Sequence, residues 1–129
     1  MKLTSVLAVS VSRMTINLRF FIAVPLGNGQ ECSDPFNRPD LFHIVDVDYQ
    51  TAERIGDSPF SSAALEETDK YPIELFEDPF FDPGDVDALL KCLEKWRSSL
   101  QEEDKDAFLI VESLLLEAKE RGVGIYFKF

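Results

Sequence analysis

Residues 82–129, DPGDVDALLKCLEKWRSSLQEEDKDAFLIVESLLLEAKERGVGIYFKF, decide the fold. Asp82 suits an N-cap, Pro83 the first helical position, and Asp85 the first turn, where negative charge favours the helix dipole. Behind them Val86, Leu89, Leu90, Leu93, Trp96 and Leu100 form one apolar stripe at helical spacing. The pattern predicts an amphipathic helix over 83–100. After the acidic connection 101–104, a second helix is expected over 105–121. Phe108, Leu109, Ile110, Val111, Leu114, Leu115, Leu116 and Ala118 make it apolar on more than one side, so it should be the more buried of the two. Lys119 and Arg121 suit its last turn and Gly122 its C′ position. Val123, Ile125, Phe127 and Phe129 then alternate, which predicts a strand over 123–129.

A strand that follows a capped helix needs a sheet. The best partner lies upstream, over 15–24, where Ile16, Leu18, Phe20 and Ile22 alternate with Thr15, Asn17, Arg19 and Phe21. A further strand is expected over 41–47. Asp48 can then cap a short helix over 49–55, with Gly56 as its stop. Residues 57–70 are open between loop and a helical turn or two, and 71–76 read as extended. Together these elements imply an α+β fold: a small, mainly antiparallel sheet packed by two C-terminal helices. Residues 1–129 read as one domain. Lys2 and the apolar run 3–11 look faintly like a secretory signal, but the run is short and polar-interrupted. Residues 1–13 are therefore read as a disordered or non-native extension, with Met14 an alternative start.

The 129 residues carry 24 acidic and 13 basic side chains, a net charge of −11. Hydrophobic residues make up 45%, with eleven Phe, too much apolar material for a disordered chain despite that charge. The acidity argues against nucleic acid and against an anionic membrane surface. It is also uneven: residues 1–30 are net +3, 31–65 net −5, 66–106 net −9 and 107–129 neutral. The central third carries most of the field.

No catalytic signature stands out, and no cofactor is implied. Asp46 and Asp48, two apart on a strand, place carboxylates on one face and are weak Mg²⁺ or Mn²⁺ candidates, with Glu53 or a distant acid as third ligand. The plainer reading is the wet face of a strand whose Val45 and Val47 point inward. His43 is the one histidine, more often packed or hydrogen-bonded than catalytic. Cys32 and Cys92 are 60 residues apart with no companions for a metal site, and read as reduced cytoplasmic thiols. The segment ELFEDPFFDPGD, 74–85, mixes Phe76, Phe80 and Phe81 with acids. Its aromatics either plug the core or form a docking surface, with Glu74, Glu77, Asp78, Phe80, Phe81 and Asp82 as binding candidates.

In size, acidity and α+β build the chain is similar to small acidic bacterial proteins that neutralise polymorphic toxins. The similarity includes no diagnostic motif. It implies a non-enzymatic cytoplasmic module that engages a basic protein partner as an inhibitor or immunity factor. The alternatives are a metal-dependent hydrolase or transferase using Asp46 and Asp48, and a structural subunit or homodimer.

Overall fold

The structure is a computed structural model that describes residues 6–11, 14–27, 33–70 and 72–129. Five strands and four helices follow in the order β1 (Val6–Val11), β2 (Met14–Pro25), β3 (Phe42–Val47), α1 (Tyr49–Gly56), α2 (Pro59–Thr68), β4 (Phe80–Phe81), α3 (Val86–Arg97), α4 (Lys105–Arg121) and β5 (Ile125–Lys128). All strand pairs are antiparallel. The strand order is β1-β2-β5-β4, with β3 also paired to β2. β2 is the spine: β1 lies along residues 14–19, β3 along 20–25, and β5 along 21–23. The fold is α+β, and the sequence-expected pairing of the 15–24 strand with the C-terminal one is present.

Strand alternation sorts the residues onto two faces. Phe20, Ile22, Val24, Val47, Ile125, Phe127 and Phe81 face the helices and enter the main core. There α2 packs on α3, α3 on α4, and α1 against α4. Trp96 stacks on Phe60 at 6.5 Å and meets Phe108 edge-on at 5.5 Å. The α3 stripe is as spaced in the sequence: Val86, Leu89, Leu93 and Trp96 are buried, with Leu90 packed at the margin. Each such side chain contributes about 1.5–3 kcal/mol of burial. The other face is also covered. Phe21, Ala23 and Phe42 form a second small core, closed by Phe36, edge-on to Phe21 at 5.2 Å, and by Tyr126, edge-on to Phe42 at 5.6 Å. Tyr126 Oη donates to the Ser33 carbonyl at 3.2 Å and ties the 33–41 loop down.

Several expectations change in detail. β1 is a strand the sequence reading did not place; residues 1–5 and 12–13 lie outside the described residues. Asp48 caps α1 as expected, accepting from Thr51 N at 2.7 Å, but Gly56 remains inside the helix and Asp57 follows it. α2 is a full helix, opened by Ser58, which accepts from Ser61 N, and by Pro59 at its first position. Asp82 makes no side-chain cap. Pro83–Asp85 form a 3₁₀ turn instead, and α3 proper runs 86–97 rather than 83–100. Ser98 is the C-cap residue of α3, and its Oγ donates to the Lys95 carbonyl at 3.0 Å. Residues 74–77 turn rather than extend, with Glu77 N donating to Glu74 O at 3.1 Å. α4 matches its expected bounds, and Gly122 caps it at φ 69°. Only one side of α4 is buried, though, because Leu109 and Leu116 are half exposed. Among the described residues, no helix is long and apolar enough to cross a membrane.

Candidate functional site

The 74–85 segment reaches the sheet along β5. Phe127 N donates to Pro79 O and Phe129 N to Glu77 O, both at 3.1 Å, so residues 77–81 run beside β5 before and through β4. Alternation along this run sends Phe81 to the helix face and Phe80 to the outer face. Phe81 is fully buried, edge-on to Phe127 at 5.9 Å. It is a core residue and leaves the set of surface candidates. Phe80 is half-buried and lies against Tyr126, ring centroids 4.4 Å apart. Gly124 lets the strands close at this point: a Cβ there would stand 2.1 Å from the Phe81 carbonyl oxygen and 2.7 Å from the Phe80 ring.

The remaining candidates separate. Glu74 lines a depression of about 210 Å³ with Glu53, Gly56, Asp57 and Leu75, on the α1 side. Asp82 pairs with Lys70 at 3.2 Å, and Lys70 also reaches Asp85 at 3.2 Å. These carboxylates, Asp85 first, hold the ammonium above its ordinary pKa. Glu77 and Asp78 line a cavity of about 200 Å³ together with Arg19, Phe36, Phe76, Lys128 and Phe129. Asp78 pairs with Lys128 at 2.9 Å, and Arg19 with Asp46 at 2.8 Å. Glu77 has no cation among the described residues.

Phe76 is the residue that sequence reasoning undervalued. It is 70% exposed, the most exposed of the large hydrophobic side chains described, and its backbone is left-handed at φ 65°. A bulky residue rarely holds that conformation, which costs about 1–2 kcal/mol. Phe36, 53% exposed, lines the same cavity from the opposite face of the sheet. Phe76 tilts against Phe20 at 6.5 Å and Phe36 against Phe21. No sequence signal marks either ring as exposed, since both sit among breakers and acids like the buried Phe81.

A second acidic surface surrounds α1. Gln50, Glu53, Arg54, Asp57, Trp96 and Asp104 border a cavity of about 320 Å³. Arg54 donates to Asp104 at 2.8 Å, and that bond, with the charges of Asp104, Glu103 and Glu53, raises the Arg54 pKa further.

The chemical candidates are placed as follows. Asp46 is held by Arg19, and Asp48 is occupied by the α1 cap. Glu53 is exposed on α1. Among the described residues, no cluster of three His, Cys, Asp or Glu has metal-holding geometry. His43 Nδ1 lies 2.7 Å from Glu117 Oε1, and Glu117 also accepts from Arg121 at 3.1 Å. Cys92 is buried in α3, and burial, reinforced by Glu67, pushes its thiol pKa up. Cys32 lies outside the described residues. Comparison of the chain with protein-family models, with curated proteins and with solved structures returned no match in any of the three.

Proposed function

We propose that the protein is a non-enzymatic, cytoplasmic binding module that engages a basic protein partner, acting as an inhibitor or immunity-type factor. The observation that carries this reading is Phe76, 70% exposed beside Glu77 and Asp78. An aromatic anchor with carboxylates at its rim suits a basic protein surface. The cations at this site, Arg19 and Lys128, are already ion-paired, and Glu77 has no cation among the described residues. The surrounding net −9 of residues 66–106 would steer such a partner and give its association rate a strong salt dependence. The same charge opposes phosphate backbones, so nucleic acid is not the expected partner.

The test is capture on the immobilised full chain, beside a variant carrying Glu77→Gln and Asp78→Asn. A basic protein retained at low salt, released by high salt and retained less by the variant supports the reading. Retention of no basic protein at low salt, or equal retention by both chains, overturns it.

A further inference from the structure

Among the described residues, one edge of β2 has a partner strand over only part of its length. Phe127 and Phe129 give their N–H groups to Pro79 and Glu77, so Tyr126 and Lys128 are the β5 residues that face β2, opposite Ala23 and Phe21. Beyond Phe21 the same edge of β2 continues through Arg19 and the backbone of residues 17 and 15, and no described strand pairs with it. β1 takes the other edge. The open run, residues 14–19, is about 20 Å long at strand rise. The 200 Å³ cavity stands at its mouth. Phe76 borders that cavity from the helix face and Phe36 from the outer face, and both rings are half exposed or more.

We propose that this slot takes an extended segment of the partner as an added strand, in line with β5, with alternating apolar and basic residues. This inference deepens the binding-module reading and rests on it. Backbone groups of residues 15, 17 and 19 supply the ladder, which is what strand addition to an open edge requires. The apolar side chains of the segment share one face of the added strand and meet Phe76 on the helix side. Its basic side chains share the outer face, where they lie over Phe36 as Lys128 does at 5.4 Å and approach the cavity carboxylates Glu77 and Asp78. The wall selects cations because its own two are neutralised by Asp46 and Asp78, while Glu77 is unpaired among the described residues.

The experiment uses the full chain, isotopically labelled, and a capped hexapeptide of alternating Lys and Val. The expected result is slowed amide exchange at Thr15, Asn17 and Arg19 on binding. Phe36→Ala with Phe76→Gly should weaken the peptide about tenfold, as loss of a central aromatic anchor does, while the free variant keeps the dispersed amide spectrum of the folded chain. A peptide with Pro at its third position should not bind. No binding, binding without protection of those three amides, or binding indifferent to both ring substitutions overturns the proposal. An alternating Glu–Val peptide separates the two claims. Equal binding of it, with the same protection, keeps the slot and defeats the basic-partner reading. A basic protein captured equally well by the ring-substituted chain keeps that reading and defeats the slot.

Discussion

Phe76 and Phe81 lie five residues apart in one acidic, aromatic segment and meet opposite fates: one is 70% exposed, the other fully buried. Both have carboxylates within two residues. What separates them is backbone pairing. Phe81 stands on a run that bonds β5, where alternation assigns each side chain a face. Phe76 precedes that run, in a turn where its backbone is left-handed and its ring is 70% exposed. Composition describes the segment, and the β5 ladder decides which ring is buried and which stays exposed.

That contrast can be broken by substitution. Phe81→Ala is expected to lower stability by about 3–5 kcal/mol, the cost of truncating a buried Phe. Urea denaturation measures it, and a loss below about 1 kcal/mol would mean Phe81 is not a core plug. Gly124→Ala tests the close approach that seats Phe80 and Phe81. Its Cβ would collide with the Phe81 carbonyl, so a destabilisation of about 1–3 kcal/mol is expected, read from the same denaturation curves.

Phe76→Gly sharpens the comparison from the other side. It relieves the left-handed strain at φ 65° and removes a ring that buries little. Stability should change by less than about 1 kcal/mol, relief of strain being offset by the freedom glycine adds to the unfolded chain. Calorimetry checks it, and unfolding comparable to Phe81→Ala would erase the distinction. Glu77→Gln with Asp78→Asn should cost no more than about 1 kcal/mol: Asp78 is exposed, and Lys128, its 12% exposed partner, keeps its contacts with the Phe36 and Tyr126 rings. Its effect belongs in the association rate with a basic partner, measured by stopped flow at low salt.

The parts of the fold legible in the sequence are those with a long period. The α3 stripe, α4 with its Gly122 cap and the alternation of β2 and β5 each repeat over several residues, and each recurs in the structure. Shorter elements were less legible. α2 depends on one Ser58-Pro59 start signal among small residues, and the 83–85 turn is 3₁₀ although Asp82 looks like a cap. The site was legible only as a region. Glu77 and Asp78 are on the candidate surface, whereas Glu74 faces α1, Asp82 belongs to Lys70 and Phe81 to the core. Phe36, Arg19 and Lys128 join the site through the sheet, from 38 or more positions away in the chain, and no local pattern could have gathered them.

The molecule carries a second acidic surface, around Glu53, Asp57, Glu103 and Asp104 on the α1 side, so acidity by itself does not choose the binding face. The most direct measurement is the hydrogen–deuterium exchange footprint of the captured basic partner on the full chain. Protection over residues 74–82 and around Arg19, with α1 and residues 102–106 unchanged, is the predicted result. Protection confined to α1 and residues 102–106, with 74–82 exchanging as in the free protein, would place the binding face on the other acidic surface and contradict the role assigned to Phe76.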